Sequence, residues 1–182
     1  VENSNNYKII VSGPVGAGKS TYVKTISHDN SFSTEERSSE DIGKVQTTVG
    51  MDYGTLELAG HRFQLFGTPG QERFDYMWEI LSEGAIGLVL LIPAHRPDQF
   101  GKARVIYDKI LSLFPLTVIM GVTHVDQAKA WEIDDIARFF KFPSENVLPV
   151  DARDQKNSYL LLHRLFQNIK SEQHGMKAGI NG

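Results

Sequence analysis

A chain of 182 residues is sized for about one domain, and 41% hydrophobic residues, 16 glycines and no cysteine exclude the collagen-like, disordered and disulfide-scaffold classes. Nineteen basic against 22 acidic residues leave a formal charge of -3, so no chain-wide positive field exists to hold a nucleic acid, and no such partner is expected. The lack of cysteine also removes thiol catalysis, thiolate metal sites and prenyl or palmitoyl anchors and allows a reducing compartment, so a cytoplasmic location is the expectation.

In chain order, residues 1–6 are polar, without Met, a basic start or an apolar run, and read as a disordered tail rather than a signal peptide. Residues 7–171 then alternate short apolar runs with stretches whose apolar residues recur every three or four positions, the pattern of a parallel sheet covered by helices. Strands are expected at residues 7–12, 51–58, 62–66, 86–92, 117–123 and 147–150. The two residues Ala59-Gly60 make a hairpin of the second and third, so that pair should be antiparallel. The apolar run at residues 85–94 is half of the ~20 residues a membrane-spanning helix needs, and reads as a buried strand. Helices are expected to begin at Lys19 and to cover residues 72–81 and 131–140. Two apolar stripes mark further helices, one through Phe100, Ala103, Ile106, Ile110 and Phe114, the other through Leu162, Leu165, Phe166 and Ile169. Residues 29–47, rich in Ser, Glu and Asp, read as a long loop without secondary structure, of the sort that is functional or disordered. Residues 172–182 read as a flexible tail.

Gly13-Pro14-Val15-Gly16-Ala17-Gly18-Lys19-Ser20 follows the first strand and opens the first helix, the context that the phosphate-loop pattern GxxxxGK[ST] requires. Glycines let backbone N–H groups turn inward around phosphate oxygens, and the helix start adds its own unpaired N–H groups. Lys19 neutralises the β- and γ-phosphates, and the Ser20 hydroxyl is a ligand for Mg²⁺, which prefers oxygen. Thr21 completes the nucleotide-contacting run. Kinases, ATPases and GTPases share this loop, so it establishes a nucleoside triphosphate and no more.

Further on come Thr48-Val49-Gly50-Met51-Asp52-Tyr53, Gly67-Thr68-Pro69-Gly70-Gln71-Glu72-Arg73-Phe74, Thr123-His124-Val125-Asp126 and Asp151-Ala152-Arg153. In this order they resemble the small GTPases of the Ras superfamily, from Tyr7 to about Ser171. Pro69 to Phe74 looks especially like the Rab and Arf branches, and its combination with Thr123 to Asp126 is closer still to prokaryotic regulatory GTPases found alongside Roadblock/LC7 proteins. The resemblance implies a P-loop α/β fold, a mostly parallel six-stranded sheet with one antiparallel strand and helices on both faces. It implies GTP and GDP as substrate and product, Mg²⁺ as cofactor, and a partner protein of Roadblock/LC7 type. Thr48 becomes the threonine that closes over the γ-phosphate and ligates Mg²⁺; Thr47 is a near-equal neighbour, and the spacing to Gly50 favours Thr48. Gly70 offers its N–H to the γ-phosphate and Gln71 orients the attacking water, a catalytic role shared with Lys19. Asp126 accepts two hydrogen bonds from guanine that adenine cannot supply, the N–H of Ala152 meets the guanine O6, and Arg153 lies beside it.

Departures from the family pattern are visible. Thr123-His124 stand where Asn-Lys is usual: the hydroxyl has less reach, and the imidazole takes the place of a lysine stem against the purine. Gly67 stands where most relatives place an Asp that bonds a Mg²⁺-bound water, so that either the ion is held less tightly or Asp52 substitutes. Val15 puts a branched side chain beside the γ-phosphate. No Arg lies in the few residues before Thr48, and Arg37 is eleven positions away, so intrinsic hydrolysis should be slow. Other readings are a scaffold GTPase that barely turns over, resembling the β subunit of the signal recognition particle receptor, and a small-molecule kinase, which would need an acceptor pocket. Phe74, Tyr76, Met77 and Trp78 exceed what one helix stripe can bury, so an outward aromatic patch that includes Trp78 is expected to meet the partner.

Overall fold

The computed structural model describes residues 5–27, 31–35, 50–70 and 75–179. Seven strands form one sheet: β1 (Asn6–Ser12), β2 (Ser31–Glu35), β3 (Gly50–Leu58), β4 (His61–Gly67), β5 (Gly87–Pro93), β6 (Thr117–Thr123) and β7 (Val147–Pro149). Their order is β2-β3-β4-β1-β5-β6-β7. Among the described residues the α-helices are α1 (Lys19–Ser27), α2 (Asp75–Ser82), α3 (Phe100–Leu113), α4 (Ile133–Phe140) and α5 (Gln155–Gly179).

All six expected strands are present, and β3 alone runs against its neighbours, antiparallel to β4 and to β2. Its hairpin with β4 turns at Ala59 and Gly60, both at positive φ (51° and 75°), the backbone of a tight two-residue turn. That turn sets the register: each step away from it pairs one residue back with one residue on, from Leu58↔His61 to Asp52↔Gly67.

Two expectations are corrected. Residues 29–47 are not structureless throughout, because Ser31–Glu35 pairs with β3 as a seventh strand at the sheet edge. One apolar residue in five gives no periodic signal, and strand pairing is a matter of backbone groups, which every residue carries. At the other end α5 continues to Gly179, eight residues into the expected tail. Its packed portion nucleates a helix that Glu172, Gln173, Met176 and Lys177, all good helix formers, propagate.

A core lies on each face of the sheet. Ile9, Val11, Val89 and Leu91 pack against Tyr22, Val23 and Ile26 of α1 and Leu161, Leu165 and Ile169 of α5. Alternate residues Ile10, Leu88, Leu90 and Ile92 pack against Trp78 of α2, Phe100 and Ile106 of α3 and Ile136 of α4. β5, GLVLLIP, is buried along its whole length, as a central strand covered on both faces must be. The order reverses at β1, which is parallel to both β4 and β5. A crevice therefore opens at the carboxyl end of β1, the topological switch point where such sheets bind ligands.

Candidate nucleotide-binding site

The phosphate loop leaves β1 at that crevice. Gly13 has φ +146°, and a Cβ there would lie 2.3 Å from the Leu91 carbonyl oxygen; only glycine allows the loop to pass so close to β5. The turn closes through Ala17 N–H to the Pro14 carbonyl at 3.3 Å, and the first helical bond runs from Tyr22 N–H to the Gly18 carbonyl at 2.8 Å. Lys19 folds back over the loop and donates to the Pro14 carbonyl at 2.8 Å. Desolvation pulls its ammonium down to about 8, against the opposing charge of Asp52. A cation held over a loop of backbone N–H groups at the start of a helix favours a phosphate there.

The segment after β4 is pinned beside this loop. Thr68 N–H donates to the Val11 carbonyl at 2.9 Å, its hydroxyl meets Ser12 Oγ at 2.6 Å, and Trp78 Nε1–H donates to the Pro69 carbonyl at 3.0 Å. Gly70 therefore lies against the loop: a Cβ on it would come 2.7 Å from Val15 N and 2.8 Å from Lys19 Nζ. The expected outward patch is corrected here, because Trp78 is 1% exposed and belongs to the core, while Tyr76 faces solvent. Helix phase decides which of the crowded aromatics turns inward, and the indole N–H finds a buried acceptor. Val15 is exposed at the rim. Thr47, Thr48, Gln71, Phe74 and Arg37 lie outside the described residues.

The other end of the crevice is a cavity of about 300 Å³ whose lining includes Gly18, Thr21, Thr123, His124, Asp126, Ala152 and Arg153. The sequence reading places these residues in three separate segments, and the fold gathers them. Thr123 is buried, and its hydroxyl donates to the Ala17 carbonyl at 2.9 Å, so β6 is tied directly to the phosphate loop. With that proton committed, Thr123 Oγ1 accepts from His124 Nδ1–H at 3.0 Å. His124 takes a positive φ of 58°, uncommon for a residue with a side chain, and its ring lies 4.5 Å from that of His95. Desolvation first, then His95, holds the His124 imidazolium below its ordinary value. Arg153 makes a bidentate pair with Asp151 at 2.9 Å in both bonds, which lowers the Asp151 carboxyl to about 2.

The contacts of Trp78 with Pro69 and of His95 with His124 were not foreseen in the sequence. The first had a signal, since a tryptophan in a short amphipathic helix favours the core. The second had none, because His95 follows β5 and meets His124 only through the pairing of β5 with β6.

A glycine-rich turn joining strand to helix at the switch point of a mostly parallel sheet, with a lysine over the loop, defines a nucleotide-binding P-loop NTPase of GTPase-like build. The chain belongs to the family described as conserved hypothetical ATP binding protein, which matches residues 30–170. Its similarity to Arf and Rab proteins is distant. It is 31% identical over 107 residues to the Ras-related protein Rab-32C of Dictyostelium discoideum, covering 57% of this chain and 43% of that one. It is 29% identical over 92 residues to an uncharacterized protein of Methanocaldococcus jannaschii, covering 49% and 52%. These two relatives are thus spanned over about half their length. ADP-ribosylation factor-related protein 1 of Homo sapiens is 21% identical over 139 residues, covering 75% and 68%. Among solved structures, the G domain of the T. maritima FeoB iron transporter matches with a TM-score of 0.65 at 15% identity, over 89% of this chain and 98% of that one; that likeness is one of fold. Among the described residues no helix is long and apolar enough to cross a membrane.

Proposed function

We propose that the protein is a guanine-nucleotide switch that binds GTP and GDP with Mg²⁺ and hydrolyses GTP slowly. The observation that carries the reading is the joining of Asp126 and Ala152 to Gly18 of the phosphate loop around one cavity. A purine seated there would place its base at the Asp126 carboxylate while its phosphates reach Lys19. Guanine offers that carboxylate an N–H pair, whereas adenine leaves it without partners, and a polar group so deprived discriminates strongly.

The Ser20 hydroxyl and the Asp52 carboxylate face each other at the phosphate end, and both are hard oxygen donors suited to Mg²⁺. The ion, when bound, neutralises charge that develops on the phosphates during transfer. Lys19 holds the phosphates, Gly70 offers its N–H from a position against Val15 and Lys19, and Gln71 orients the attacking water. Thr48 closes the site over the γ-phosphate, and a partner of Roadblock/LC7 type reads the closed state; these last roles rest on the motif resemblance alone.

The exposed Val15 at the loop rim favours a second reading, a nucleotide-binding scaffold with little turnover. Two measurements separate the possibilities. Displacement of a fluorescent GDP analogue by GTP but not by equimolar ATP supports the guanine reading, and equal displacement rejects it. Phosphate release in a single turnover, slow but above the rate of free GTP, supports the switch; none at all leaves the scaffold.

A further inference from the structure

The hairpin register sets Asp52 of β3 directly opposite Gly67 of β4. A Cβ on residue 67 would lie 3.0 Å from both Asp52 Cβ and Asp52 Oδ2, so the space a side chain would need at 67 is taken by the Asp52 carboxylate. That carboxylate is only 7% exposed. It accepts from Ser20 Oγ at 2.6 Å, and its charge acts on the Lys19 ammonium.

A carboxylate this buried needs a compensating charge. Lys19 supplies it while the phosphate loop holds no phosphate. A bound nucleotide places its own negative oxygens on Lys19 and next to Ser20, so two anions then converge on one hydroxyl and share one ammonium. A hard divalent cation between them resolves the conflict. Mg²⁺ bound to a nucleotide takes most of its octahedral shell from phosphate oxygens and water and needs few protein ligands.

We propose that Asp52, presented from β3 in the space left by Gly67, is the carboxylate that holds the water shell of the nucleotide-bound Mg²⁺ beside Ser20. The inference rests on the nucleotide-binding reading above and adds to it the residue that sets metal affinity. It also explains the glycine at 67: two carboxylates opposite each other would repel, so a second one there is excluded while Asp52 is present.

The test loads the full chain with a fluorescent GDP analogue and measures its release rate across a Mg²⁺ titration, with Mn²⁺ binding to the loaded protein followed by electron paramagnetic resonance. Asp52→Asn keeps the shape and an oxygen acceptor for Ser20 while removing the charge. The Mg²⁺ concentration that half-maximally slows release should rise about 10- to 100-fold in this variant, the effect of losing a group that orients metal-bound water, with Mn²⁺ affinity falling in step. Asp52→Ala combined with Gly67→Asp moves the carboxylate to the facing strand and should bring the midpoint back toward that of the wild type. A wild-type midpoint in Asp52→Asn overturns the assignment while leaving nucleotide binding intact. A wild-type chain that does not retain the GDP analogue at any Mg²⁺ concentration overturns the nucleotide reading itself, and the assignment with it.

Discussion

The two ends of the nucleotide crevice are built by different means. At the phosphate end the side chains of Lys19 and Ser20 are set on a loop whose course depends on backbone geometry, and close approach is allowed by glycines: Gly13 against the Leu91 carbonyl and Gly70 against Val15 and Lys19. At the other end, where the proposed reading seats the base, the side chains of Thr123, His124, Asp126 and Arg153 come together from β6, the segment that follows it and the turn after β7. Backbone geometry leaves little freedom for substitution, so the phosphate end follows a pattern recognisable from one sequence. Side-chain recognition can be met by different residues, and on the proposed reading Thr123-His124 stand where the superfamily this chain resembles uses Asn-Lys.

The sharpest way to break this contrast is at Trp78, a side chain that serves the backbone-built end. It fills the core and its indole N–H holds the Pro69 carbonyl beside Gly70. Trp78→Ala should cost about 3–5 kcal/mol of stability, lowering Tm by more than about 6 °C in a chain of this size in a thermal melt. A variant that melts with the wild type would show the residue to be peripheral after all.

Thr123→Val tests the link between the two ends. The change keeps shape but deletes the buried bond to the Ala17 carbonyl, at a cost of about 1 kcal/mol and a fall in Tm of roughly 2–4 °C. Because Ala17 belongs to the phosphate loop, calorimetry should show GDP and inorganic pyrophosphate weakened together. Weakening of GDP alone would mean that the hydroxyl serves only the base.

The smallest effect lies at His124. Its imidazolium is disfavoured in the folded state, so between its depressed folded value and the ordinary 6.5 the unfolded chain binds more protons, and stability rises with pH through that window. The fall in Tm between pH 7.5 and pH 5.5 should therefore be smaller in His124→Gln than in the wild type. Identical pH dependence in the two proteins would remove His124 as its source.

How much of this was legible in the sequence follows the same division. The phosphate loop and the six apolar strands announce themselves, since glycine spacing and apolar runs are local signals. The opposition of Asp52 and Gly67 was also within reach, because a two-residue turn at Ala59-Gly60 dictates it, yet its meaning appears only when Ser20 is seen to donate to that carboxylate. β2 was invisible: an edge strand held by backbone pairing needs no apolar pattern. Trp78 was misjudged because counting large side chains in a segment does not give the phase of the helix that carries them. His95 against His124 is a contact between the ends of two strands far apart in sequence, and no local pattern encodes it.

The most direct test of the guanine reading is calorimetric comparison of GDP, ADP and XDP binding to the wild type and to Asp126→Asn. Loss of hydrogen bonds to a charged acceptor is worth about 1.5–3 kcal/mol, roughly 10- to 150-fold. The wild type should accordingly bind GDP at least about tenfold more tightly than ADP, and Asp126→Asn should lose GDP affinity while gaining it for XDP, whose ring accepts where guanine donates. Equal affinity of the wild type for GDP and ADP, or a substitution at Asp126 that leaves the ranking of the three nucleotides unchanged, would contradict it.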